Sequence, residues 1–124
     1  MDVVLTDREA TVMDVLWERG ASTVSEVQEG LRDRLAYTTV LTILRTLEQK
    51  NYVSHLEEGR AHRYSALVPR DAARKSALAA LSEKLFKGSA ELLLTHIVTD
   101  NKLTRDDLER MQKIIDDRTR TRRR

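Results

Sequence analysis

The chain has 124 residues, no cysteine, one proline and 34% charged side chains, which excludes disulfides, thiolate metal sites and cysteine nucleophiles and favours helices. Its net charge of +2 hides an asymmetry: residues 1–67 carry 8 Lys/Arg against 11 Asp/Glu, and residues 68–124 carry 14 against 9. The apolar stretch Leu92 to Leu94 is far too short to span a bilayer, and no basic start followed by an apolar run opens the chain. A soluble cytoplasmic protein is therefore expected.

Thr6 followed by Glu9 has the spacing of a capping box, after which Ala10, Met13, Leu16 and Trp17 form an apolar stripe that stops at Gly20. Thr23 and Glu26 repeat the start signal, and Val24, Val27, Leu31 and Leu35 repeat the stripe, predicting a second helix to about Arg34. A short turn leads to a third helix over AYTTVLTILRTLEQK, residues 36–50. Beyond Asn51, two β-prone runs around Glu58-Gly59 predict a hairpin with glycine at a turn position of positive φ.

After Pro69, the run from Asp71 to Lys87 places Leu78, Leu81 and Leu85 on one side, with Gly88 as a stop. Ser89 can cap a short helix carrying Leu93, Leu94, Ile97 and Val98, and Thr104 with Asp107 starts a last helix with Leu108, Met111 and Ile115 on one stripe. Three amphipathic helices with hardly an aromatic among them make a thin core for an isolated unit, which points to pairing with a second copy through Leu78, Leu81, Leu85, Leu93, Ile97, Leu108, Met111 and Ile115. The plainer alternative is a helical subdomain packed on its own first half. The terminal RTRTRRR reads as a disordered basic tail, either solvated or touching phosphates.

Four threonines in the third helix need a reason, because branching at Cβ and a competing hydroxyl make threonine a mediocre helix former. At about 100° per residue, Val40, Ile43, Leu44 and Leu47 form the buried stripe, and Thr38, Thr42, Arg45 and Gln49 lie opposite. Thr39 and Thr46 fall at one edge of that face. A merely solvated helix face carries Glu and Lys pairs. This one offers hydroxyls, methyls and a single arginine, which suits base edges and phosphates in a DNA major groove. The order helix, helix, turn, helix is that of a helix-turn-helix, with the third helix as reader. The hairpin, with Arg60 and Arg63 beside its turn, is then a wing, and Arg60 or Arg63 is expected to reach phosphates while the acidic tip, Glu57 and Glu58, lies off them.

Other classes fare less well. His55, His62 and His96 lack metal-site spacing, and the four glycines lie singly at 20, 30, 59 and 88, so no catalytic site, metal or cofactor is expected. A winged helix used as a protein-protein adaptor without specific DNA binding stays open, supported by the acidic balance of residues 1–67.

LTDREATVMDVLW, TVSEV, AYTTVLTILRTLEQKN and GRAHRY, in this order, resemble the penicillinase-repressor family of transcription regulators, the BlaI/MecI type. The resemblance implies a winged-helix DNA-binding domain followed by a helical domain that dimerises, and with the elements above it gives a mostly α fold with a small β-hairpin: a winged helix-turn-helix domain over residues 1–67, a three-helix dimerisation domain over 68–117, and the basic tail over 118–124. It also implies a homodimeric, non-enzymatic repressor on a dyad operator with TACA/TGTA-like half-sites. Thr38, Thr39, Thr42 and Arg45 fall on the family's recognition helix, and Arg60 and Arg63 on its wing. Members that control β-lactam resistance have a membrane metalloprotease sensor as partner, which cuts at an Asn-Phe bond. The corresponding stretch here, LLLTHIVTD, has Thr95-His96 or its neighbours instead, and the cysteines of the copper-responsive branch are absent.

Overall fold

The computed structural model describes residues 2–122, with the backbone alone for Arg122. Reciprocal capping sets the first two helices. The Thr6 hydroxyl accepts the Glu9 amide at 3.2 Å while the Glu9 carboxylate accepts the Thr6 amide at 2.8 Å, opening α1 (Asp7–Arg19). Thr23 and Glu26 make the same pair of bonds at 3.2 and 2.9 Å, between β1 (Ser22–Thr23) and α2 (Val24–Gly30). In α1 the buried side is Val12, Met13, Val15 and Leu16, with Trp17 half-buried. Ala10, expected on the stripe, is exposed, and Glu9 is the residue that turns inward.

Helix α2 stops at Gly30 rather than near Arg34. A Cβ at Gly30 would stand 2.7 Å from Val15 Cγ1, so α2 and α1 approach through the missing side chain. Leu31 then leaves the helix in an extended conformation, φ −81° and ψ 139°. Leu31 is buried and Leu35 packs half-buried on the core, so both serve the hydrophobic stripe from outside the helix. Gln28 Nε2 donates to Leu35 O at 2.9 Å and holds that loop.

Helix α3 (Tyr37–Gln49) buries Val40, Leu44 and Leu47, with Ile43 half-buried against the same core. Strands β2 (Val53–Glu58) and β3 (Ala61–Ala66) form the expected hairpin, with Gly59 at φ 62° in its turn. The sheet has a third member that the sequence reading lacked. β1 pairs with β3 in the order β1-β3-β2, with Thr23 opposite Arg63 and Ser22 opposite Tyr64.

Residues beyond the hairpin complete this core. Trp17 Nε1 donates to Val68 O at 2.8 Å, Val3 N donates to Ser76 Oγ at 3.0 Å, and Val68 and Ala73 are buried. The first compact unit accordingly extends through Leu78, inside helix α4 (Arg70–Leu85), whereas the sequence reading placed the boundary after residue 67.

The second compact unit begins at Ala79. Lys87 and Gly88, at φ 51° and 73°, turn the chain after α4. The Ser89 hydroxyl accepts the Leu92 amide at 3.1 Å to open α5 (Ala90–Asp100). Thr104 and Asp107 bond reciprocally at 2.9 and 3.1 Å to open α6 (Arg105–Arg122). Helix α6 takes in residues 118–122 of the expected disordered tail. Asp117 pairs with Lys113 one turn back and with Arg120 ahead, and Thr121 Oγ1 returns to Asp117 O, so the helix carries its own charge partners. Residues 123 and 124 of that expectation lie outside the described residues. Among the described residues, no helix is long and apolar enough to cross a membrane.

Candidate nucleic-acid interface

Burial of Val40, Leu44 and Leu47 leaves the opposite side of α3 to solvent: Thr38, Thr42, Arg45 and Gln49 are exposed, and Thr39 and Thr46 are half-buried at its edge. The hydroxyls are partly committed. Thr42 Oγ1 donates to Thr38 O at 2.9 Å and Thr46 Oγ1 donates to Thr42 O at 3.0 Å, so each hydroxyl hydrogen is spent within the helix and the oxygens keep acceptor capacity. The N-cap of α3 is Ala36, which makes no side-chain hydrogen bond, in contrast to the capping boxes of α1 and α2. The positive end of the α3 dipole is therefore not neutralised by its own cap. The sequence carried that signal in alanine itself, a poor N-cap.

The wing divides its two arginines. Arg60 lies exposed beside Gly59 and makes no ion pair or hydrogen bond among the described residues. Arg63 points the other way. Its Nε donates to Glu58 Oε2 at 2.5 Å, its Nη1 to Glu26 Oε1 at 2.9 Å and to Ala21 O at 3.0 Å, and its Nη2 to Glu58 Oε1 at 3.4 Å. The Arg63 guanidinium holds the Glu58 carboxyl below its ordinary range, and Glu58 in turn raises Arg63. The Glu26 carboxyl is lowered first by the Thr23 amide and then by Arg63. Glu26 and Glu58 as partners of Arg63 were missed in the sequence, although the capping box already marked Glu26.

A second link ties the hairpin to α3. His55 Nδ1 lies 2.8 and 2.7 Å from the two oxygens of Glu48 on α3, and the His55 and His62 rings stack at 4.4 Å. These histidines thus belong to the wing strands. Among the described residues no group of three or more histidine or acidic side chains could hold a metal.

Of the residues expected to dimerise, Leu78, Leu81, Leu85, Ile97, Leu108 and Ile115 are exposed, while Leu93 and Met111 are half-buried. Ile114 is 69% exposed and was not singled out in the sequence. Helix α5 has no buried residue.

Three packed helices followed by the β2–β3 hairpin, with β1 added to its β3 edge, define a winged helix-turn-helix protein. Residues 5–117 match the model of the penicillinase repressor family, and the chain belongs to that family. It is 42% identical over 98 residues to Transcriptional regulator BlaI of Mycobacterium tuberculosis, strains CDC 1551 and H37Rv, covering 76% of this chain and 71% of each relative. The family is one of transcriptional regulators and not of enzymes. Among solved structures, a MarR family protein from Bacillus stearothermophilus is similar with a TM-score of 0.48 and 17% identity, covering 94% of this chain and 76% of that one. BpsR of Bordetella bronchiseptica gives 0.49 and 14%, over 90% and 78%. These two likenesses carry no functional weight.

Proposed function

We propose that the chain represses transcription as a homodimer on a dyad operator with TACA/TGTA-like half-sites, each α3 entering a major groove. The observation that carries this reading is the outward face of α3, where Thr38, Thr42, Arg45 and Gln49 stand exposed with no carboxylate among them. With the Thr42 and Thr46 hydrogens donated inward, the oxygens accept from base amino groups and the methyls press on thymine methyls. Thr38, Thr39 and Gln49 supply further polar contacts, and Arg45 reads guanine or anchors a phosphate. Arg60 meets the backbone from the wing. The second copy pairs through Leu78, Leu81, Leu85, Leu93, Ile97, Leu108, Met111 and Ile115, and a two-fold dimer sets the half-sites about one helical turn apart.

A protein-protein adaptor is the second reading, favoured by the surplus of Asp/Glu over Lys/Arg in residues 1–67. Fluorescence anisotropy on a TACA/TGTA dyad duplex and on a scrambled duplex, each at two salt concentrations, separates the two. Repression by sequence-specific binding gives a preference of about a thousandfold for the dyad. Absence of binding to both duplexes leaves the adaptor. Replacing a contacted thymine by uracil removes only a methyl and should weaken binding by about 0.8 kcal/mol, measured on the same duplex.

A further inference from the structure

An arginine that grips a phosphate needs its fork free, and Arg63 does not have it free. Its four hydrogen bonds to Glu58, Glu26 and Ala21 engage all but one of the five N–H donors of a guanidinium. The three acceptors belong to three places in the chain: Glu58 at the end of β2, Glu26 in the first turn of α2, and Ala21 just before β1. Glu26 Oε1 serves two donors at once, the Thr23 amide at 2.9 Å and Arg63 Nη1 at 2.9 Å, so the bond that caps α2 and the bond that holds the wing share one oxygen. Backbone pairing of Thr23 with Arg63 runs alongside.

From this geometry we propose that Arg63 is a positioning residue and not a phosphate ligand: it clamps the wing to the start of α2 and fixes the angle between the hairpin and the helix-turn-helix, while Arg60 meets the phosphate. This rests on the DNA-binding reading above for its effect on affinity, but not for the clamp itself. His55 with Glu48 pins the same hairpin to α3, so the wing is held against both helices of the reading pair. The acidic tip thereby acquires a purpose. Glu58 neutralises and orients Arg63, and it is not a misplaced charge facing DNA.

The two roles for Arg63 predict opposite signs. If Arg63 were a phosphate contact, Glu58→Gln would release it and remove a repelling charge, and the full-length protein would bind the TACA/TGTA duplex more tightly. As a clamp, Glu58→Gln weakens binding, by about two- to fivefold, the weight of one exposed ion pair. Arg63→Ala weakens binding similarly without changing the slope of log affinity against log salt, whereas Arg60→Ala lowers that slope by about one for each bound chain. Arg63→Lys, which keeps the charge and loses the fork, does not restore affinity. Tighter binding by Glu58→Gln, a lower slope in Arg63→Ala, or rescue by Arg63→Lys overturns the proposal.

Amide exchange without DNA tests the clamp independently. In Glu58→Gln and Arg63→Lys, exchange at Thr23, Glu58 and Ala61 should accelerate several-fold while α1 stays unchanged. Unchanged exchange at these three amides overturns the clamp whether or not the duplex is bound. Failure of the wild-type protein to prefer the dyad, with accelerated exchange in the variants, refutes the DNA-binding reading and keeps the clamp.

Discussion

Arg45 is the single cation among the residues of α3 that face away from the core, and the acid one turn along the helix, Glu48, is engaged by His55. Arg45→Ala should therefore cost about 1 to 3 kcal/mol in binding to the dyad if its contact is a base edge, read by anisotropy on a protein whose circular dichroism is unchanged. The carboxyls of the first unit make a different forecast. In Glu9, burial pushes the pKa up, and Lys50 with the Thr6 amide and hydroxyl outweighs it, so the net shift is downward from 4.5. Glu26 and Glu58 are lowered as well. A carboxyl with a depressed folded pKa binds fewer protons folded than unfolded, so its stabilisation is complete above pH 4.5 and drains away as the pH falls through the lowered values. The melting temperature should thus be nearly flat down to about pH 5 and decline below about 4.5, and Glu9→Gln should shrink that decline. Residue spacing revealed the α3 face, because alternation of Val40, Leu44 and Leu47 with threonines is a local pattern. It could not reveal where Arg63 points, because its partners Glu26 and Glu58 lie 37 and 5 residues away and are chosen by the fold.

Helix starts were legible for a physical reason: a Thr with a Glu or Asp three residues on satisfies two orphan amides whatever the tertiary context. Thr6, Thr23 and Thr104 each open a helix in this way. Ends and strands were less legible. Helix α2 closes at Gly30 because α1 packs there, and β1, only two residues long, exists because β3 offers it an edge. The first compact unit runs past residue 67 for the same reason, since Val68 and Ala73 look like a linker and the start of the next helix until Trp17 is seen to bond Val68 O. A protein ending at Leu78 should melt as the first unit does in the full chain. One ending at Leu67 should lose about 2 to 4 kcal/mol, from the exposed core and the lost indole bond, measured by denaturant unfolding.

In the molecule as a whole, apolar residues are divided unevenly. The first unit has a buried core with Tyr64, Met13, Leu44 and Leu47 at its centre, whereas Leu85, Ile97, Leu108, Ile114 and Ile115 stay exposed. Sedimentation at micromolar concentration should find a dimer, and a monomer there would remove the pairing from the proposed function. Trp17 adds a practical consequence. It is the one tryptophan in the sequence, its indole N–H is bonded to Val68 O, and the Arg70 guanidinium sits 5.6 Å from its ring centre. Its emission is thus an optical reporter confined to the first unit, while far-ultraviolet ellipticity sums the helices of both. Comparing the two signals during one denaturation, at several protein concentrations, separates unfolding of the first unit from any concentration-dependent change in the helices of the second, without any added label.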